Sequence, residues 1–148
     1  MVDIARGASV YLDTNALIYM TEGSAAFRKS LEFFFKKAIA AEAQFVTSEL
    51  ALTEVLVRPI RDKNESLLVA YNDLFERFVK ALPINRAILV RAAELRAETL
   101  KFRTPDAIHV ATAEQAGVQF FVTGDDGIDI PPPIILYLLS DSDSAVPK

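Results

Sequence analysis

Short β-prone apolar runs alternate with helical patterns along this chain, and that alternation limits the fold more than any other feature. Ser9 to Leu12, SVYL, is such a run, and it ends in Asp13-Thr14-Asn15. Asp13 and Thr14 both suit the cap of the helix pattern ALIYM that follows. The spacing predicts a helix from Ser24 to Glu42, a second strand from Phe45 to Thr47, and a helix that Ser48 caps and that ends at the break Arg58-Pro59. Asn64 opens a helix to about Lys80, Leu82 to Ile84 is a third strand, and Asn85 opens a long helix toward Lys101. Thr104-Pro105-Asp106 combines a capping hydroxyl, a proline at the first helical position and an acid in the first turn, and its helix stops at Gly117. Gln119 to Thr123 is a strand, Gly124-Asp125-Asp126-Gly127 a loop, and Ile134 to Leu139 the last strand. The expected architecture is a three-layer α/β/α fold with a central, mostly parallel sheet covered on both faces.

With 148 residues, 51% of them hydrophobic, the chain can bury enough surface for one compact domain without staples. That domain is expected over residues 1–140, followed by a polar, disordered tail over 141–148. No cysteine is present, which excludes disulfide frameworks, thiolate zinc sites and cysteine nucleophiles. The opening MVDIARGASV lacks the apolar core of a signal peptide, and no apolar run approaches the roughly 20 residues of a membrane span, so a soluble cytoplasmic protein is expected. Acids outnumber bases 20 to 16, so any nucleic-acid contact must be local. The single histidine, His109, excludes zinc sites built on two imidazoles and leaves one candidate base for a Ser-His-Asp triad. The glycines, at 7, 23, 117, 124 and 127, form neither a P-loop nor a dinucleotide fingerprint. What remains abundant is carboxylate.

In an open parallel sheet the ligand site lies outside the carboxyl ends of the strands, at a topological switch point. Asp13 ends the first strand and Asp125 lies just beyond QFFVT, so both project there if the two strands are neighbours. Asp106 begins a helix and Glu54 lies inside one, at positions that loops can bring to the same end. Hard oxygen donors without histidine or thiol match Mg²⁺ or Mn²⁺. Two such ions, about 4 Å apart, can activate water and stabilise a leaving oxygen on a phosphate diester, with no protein nucleophile required.

The segments YLDTNALIY, TSELALTEVL, TPDAIHVATA and FVTGDDG, in this order from residue 10 to about 127, resemble the PIN-domain ribonucleases, and especially the VapC-type toxins of bacterial and archaeal toxin–antitoxin pairs. The resemblance implies that Asp13, Glu54, Asp106 and Asp125 are the catalytic, metal-binding acids, with Asn15 and Thr123 as polar support. It also implies hydrolysis of single-stranded or looped RNA by a metal-activated water, and a protein antitoxin as partner. Two departures stand out. Gly124 occupies a place where many relatives have a polar residue, and Asp126 directly follows Asp125; Asp125 is taken as the ligand, with Asp126 as the alternative. The chain is also longer than a minimal member. Glu49 lies near Glu54, but ALTEVL aligns Glu54 with the family's acid.

Each of these residues also has a local explanation. Asp13 and Asp106 suit helix caps, Glu54 has Arg58 at i+4, and Asp125 fits ordinary turn chemistry. For His109, one turn after Asp106, the preferred reading is a partly buried histidine with a satisfied hydrogen bond; the alternative is that it orients a carboxylate or acts as a base. Arg58, Arg61, Lys63, Arg86 and Arg103 flank the acid-bearing segments as RNA contacts, although helix arginines are commonly solvated or ion-paired. Phe33-Phe34-Phe35 spans about 200° of helical arc, more than one core-facing stripe hides. This predicts a homodimer and an apolar antitoxin groove near the first helices, against the alternative of a crowded monomeric core. Among other functions, a phosphoacceptor signalling domain lacks its lysine after the last strand, and an Asp-x-Asp-Thr phosphatase lacks its second aspartate at Asn15. A catalytically silent interaction module remains as an alternative, as does DNA in place of RNA.

Overall fold

The computed structural model describes residues 2–140, and the expected tail, 141–148, lies outside the described residues. Five strands occur: β1 (Ser9–Leu12), β2 (Gln44–Ser48), β3 (Val79–Leu82), β4 (Phe120–Thr123) and β5 (Ile135–Leu138). They form one sheet in the order β3-β2-β1-β4-β5, with every neighbouring pair parallel. Six helices accompany them: α1 (Thr14–Glu22), α2 (Arg28–Ala40), α3 (Leu50–Arg61), α4 (Glu65–Arg77), α5 (Arg86–Glu98) and α6 (Thr104–Ala116).

The two-residue period of the strands separates two cores. Val10 and Leu12 of β1 join Phe45, Phe120 and Val122 against side chains of α1 to α4, whereas Tyr11, Val46 and Phe121 face α5 and α6. Both faces of the central strands are therefore covered, and for this reason β1 and β4 are apolar almost throughout instead of alternating. The expected three-layer parallel fold is the observed one. Among the described residues no helix is long and apolar enough to cross a membrane.

The adjacent phenylalanines of α2 are mostly accommodated within this fold. Phe34 is fully buried against Phe120 and Tyr137, Phe35 packs on Phe45 and Phe78, and Phe33 is half-buried with the Lys37 ammonium 5.5 Å from its ring centre.

Several boundaries differ from the expected ones. The third strand is Val79–Leu82, not Leu82 to Ile84, and α4 stops at Arg77. Val79 is buried in register with Phe45, and Phe78 stacks on the same ring at 4.8 Å, so cross-strand packing overrides the helical pattern. Helix α3 continues through Pro59 to Arg61; burial of the proline ring offsets the helical hydrogen bond that its missing N–H removes. Helix α2 starts at Arg28 after a turn, and α5 ends where Thr99 becomes extended. Asn64 and Asn85 cap α4 and α5 as expected, each accepting from a backbone N–H three residues on. Glu49 holds the cap position of α3, yet Ser48 Oγ still accepts from Leu50 N at 3.1 Å. Thr104 is the first residue of α6 and not its cap; its hydroxyl accepts from Arg96 instead, at 2.9 Å.

Candidate active site

After β1 the chain builds β2 and β3 on one side, and later β4 and β5 on the other, so the order reverses between β1 and β4. The register Leu12 to Val122 places Asp13 beside Thr123 at the carboxyl ends of both strands, and Asp13 N donates to Val122 O at 3.0 Å. Asp13 is only 7% exposed. One of its carboxylate oxygens accepts from Thr14 N at 2.9 Å and caps α1, and the other accepts from the Thr123 hydroxyl at 2.9 Å. The cap and the site are the same side chain. Burial pushes the Asp13 carboxyl above its ordinary range, and these hydrogen bonds offset that only in part.

Glu54 comes to the same place from α3, which packs on α1. Its Oε1 accepts from the Thr14 hydroxyl at 2.8 Å and lies 2.6 Å from His109 Nε2. The expected pair with Arg58 does not form; Arg58 acts on Tyr71, whose hydroxyl bonds to Glu22. Burial by itself raises the Glu54 carboxyl, but hydrogen bonds from His109 and Thr14 and the charge of Arg103 hold it below its ordinary range. Two carboxylates in one site are thus pushed in opposite directions. His109, 1% exposed, has Tyr11 Oη 2.5 Å from Nδ1, and Nε2 lies 3.1 Å from Thr14 Oγ1 and 3.9 Å from Asp13 Oδ1.

The remaining acids are tied to their own loops. Asp106 Oδ2 accepts from Arg103 N at 3.4 Å and Arg103 Nε at 3.3 Å. Asp125 N donates to Thr123 Oγ1 at 3.1 Å, while Asp125 Oδ1 closes a turn by accepting from Gly127 N at 2.9 Å. Asp126 is exposed. Asn15 accepts from Gly124 N at 2.8 Å, and its Nδ2 lies 3.3 Å from Thr123 Oγ1, so it ties the β4 loop to α1. A Cβ at 124 would fall 3.0 Å from the Tyr19 ring, so a larger residue there requires that ring to shift. Among the described residues no three acid or histidine side chains are already gathered as ligands around one point.

Of the expected RNA-contacting cations, the structure places Arg103 against the acids. Arg61 pairs with Asp62 at 3.1 Å, and Lys63 and Arg86 are exposed. The residues that sequence reasoning undervalued are His109, Tyr11 and Thr14. Two signals pointed to the first two: Tyr11 and Asp13 are two residues apart at the end of β1, and His109 follows Asp106 by one helical turn.

Residues 10–130 match the family model described as PIN domain. No curated protein matches the chain in sequence. Similar folds include a toxin–antitoxin complex from Klebsiella pneumoniae (23% identity, 85% of this chain and 99% of that one, TM-score 0.56). They also include VapBC2 from Rickettsia felis bound to a DNA fragment from their promoter (18% identity, 88% and 98%, TM-score 0.66). A third is FitAcB from Neisseria gonorrhoeae (14% identity, 86% and 96%, TM-score 0.64). The matched segment takes in β1 through β4 and every acid described above, and this chain belongs to the PIN-domain family.

Proposed function

We propose that this protein is a Mg²⁺- or Mn²⁺-dependent endoribonuclease acting as the toxin of a toxin–antitoxin pair, with Asp13, Glu54, Asp106 and Asp125 as its metal-binding acids. The observation that carries the reading is the convergence of Asp13 and Glu54, from elements far apart in sequence, on the switch point of a parallel sheet, within 3.9 Å and 2.6 Å of one histidine nitrogen. The donor set fits a hard divalent cation: carboxylate oxygens, one of them buried and raised in pKa, a state that a nearby cation relieves. In this reading Asp106 and Asp125 turn from their own loops toward the same centre when a cation binds. Asp106 gives up an ion pair with a largely exposed arginine, which costs under about 1 kcal/mol.

A divalent cation bound there supplies an activated water and neutralises charge on the leaving oxygen. The chain's own part is positional. Thr123 and Thr14 hold Asp13, Asn15 fixes the loop carrying Asp125, and Arg103 is placed to take a phosphate. In this reading Asp126 is the solvated neighbour of Asp125, and Arg58 and Arg61 extend the RNA track along α3. An apolar groove of about 750 Å³, lined by Tyr19, Met20, Leu31 and Phe35, lies at the first helices and suits an antitoxin segment. The exposed Val57 and Ile60 of α3 support a homodimer. The cytoplasm is the compartment this reading implies, and residues 1–140 form its nuclease domain.

The test is incubation with labelled single-stranded RNA and Mg²⁺ or Mn²⁺, beside Asp13→Asn and with EDTA. Cleavage abolished by either supports the nuclease; equal cleavage by wild type and variant exposes a contaminant. A second reading, a catalytically silent interaction module, draws support from the ties of Asp106 and Asp125 to their own loops. It predicts no cleavage and no cation binding. Light scattering tests the dimer, and co-purification with the product of an adjacent gene tests the antitoxin.

A further inference from the structure

The chain Tyr11–His109–Glu54, which runs from the buried tyrosine and histidine to a partly exposed carboxylate, has its atoms placed so that the protons can be assigned. An ionised carboxylate only accepts, so the 2.6 Å contact between His109 Nε2 and Glu54 Oε1 requires the proton on Nε2. Thr14 has one hydroxyl proton, and at 2.8 Å that proton goes to Glu54 Oε1; toward Nε2 the hydroxyl can therefore only accept. Behind the ring, the Tyr11 hydroxyl lies 2.5 Å from Nδ1, with the tyrosine fully buried. With the ring proton on Nε2, Nδ1 carries only a lone pair, so it accepts and the Tyr11 hydroxyl donates. This arrangement leaves no two groups donating into one another, and among the described residues no buried side-chain polar atom lacks a partner.

We propose that His109 is a positioning residue, which donates Nε2–H to Glu54 and aims that carboxylate at the site, while the Tyr11 hydroxyl, bonded to Nδ1, holds the ring in that orientation. The identification of Glu54 as a metal ligand rests on the function proposed above; the hydrogen-bond direction does not. Glu54 starts on α3, partly exposed, with several rotatable bonds. Two donors converging on one oxygen, from α1 and from α6, restrict it to one rotamer and leave Oε2 free to bind. A ligand held by an outer hydrogen bond loses about 10- to 100-fold in metal affinity when that bond is removed.

The chain contains a single histidine, so selective ¹⁵N labelling reports one imidazole. In mildly alkaline, metal-free buffer the ring is expected to show a protonated Nε2 and a bare Nδ1. A proton on Nδ1, in a singly or doubly protonated ring, overturns the role given to Tyr11. Cation binding is then read by Mn²⁺ electron paramagnetic resonance, with circular dichroism as the check on folding. His109→Ala is expected to weaken Mn²⁺ binding about 10- to 100-fold, and His109→Gln, whose amide can still donate to Glu54, to restore most of it. If Asp13→Asn weakens binding and His109→Ala, folded, does not, the positioning role is wrong while the metal site stands. If Asp13→Asn leaves binding unchanged, the metal site itself is wrong, and the ¹⁵N result still decides the proton arrangement. Where His109→Ala does not fold, Tyr11→Phe takes its place: without the bond to Nδ1 the ring is held less firmly, Mn²⁺ binding is expected to weaken, and unchanged binding by the folded variant overturns the proposal.

Discussion

The two halves of the acid site are built differently. Asp13 and Glu54 sit in a network that joins β1, α1, α3, α6 and β4, whereas Asp106 and Asp125 are each bound within three residues of their own position. The first half is set by tertiary packing and cannot move without disturbing the sheet end. The second half is set by local cap and turn chemistry and an exposed ion pair, so it adapts at small cost. If the proposed cation binds here, the first half is its fixed anchor and the second half supplies the ligands that adapt.

The largest expected effect is at the anchor. Asp13→Asn should lower RNA cleavage by about 10³-fold, the scale of removing a group that stabilises transition-state charge. The same change should raise Tm in metal-free buffer at neutral pH. The folded pKa of Asp13 is above its unfolded value, so ionisation costs stability; this cost is absent below the ordinary carboxylate range and grows as pH rises through it. The gain in Tm should therefore vanish in acid, and a variant less stable than wild type at neutral pH would break the distinction drawn here. Function at this position is bought with stability.

Glu54→Gln should lower cleavage by about 10²-fold and carry the opposite pH signature. Its folded pKa is depressed, so its contribution to stability is full above the ordinary carboxylate range and is lost as pH falls through the lowered value. The variant should melt below wild type near neutrality and converge with it in acid. Parallel pH–Tm curves for the two variants would show that the two carboxylates do not differ as described.

The adaptable half should respond less. Asp125→Asn can still accept from Gly127 N, whereas Asp125→Ala loses that bond, about 0.5–1.5 kcal/mol. If Asp125 is a ligand, both variants should lose about 10-fold or more in cleavage, and only alanine should lower Tm. Cleavage that follows Tm alone would reduce Asp125 to a turn residue and bring Asp126 forward. Arg103→Ala is the mildest change. With its side chain 81% exposed, Tm should not move measurably, while the salt dependence of RNA binding should fall by about 0.7 in slope, the share of one phosphate contact.

The sheet order alone decided that β1 and β4 are neighbours and so brought Asp13 to the loop after β4, whereas sequence periodicity and capping by themselves determined the strand–helix alternation and the parallel sheet. These rest on local rules: a two-residue period, a helical period, and cap residues that satisfy the chain's own N–H groups. The third strand was misplaced because its residues pair with Phe45, far away in sequence, and no local pattern contains that partner. The partners of Glu54 were likewise illegible. An acid with arginine at i+4 looks like a surface pair, and only the packing of α1, α3 and α6 at one sheet end gives it Thr14 and His109 instead. His109 shows the same division: its burial was readable from an apolar helix, but the acid it touches was decided by tertiary structure, since hydrogen bonds across 55 residues depend on where the elements dock and not on how each one forms.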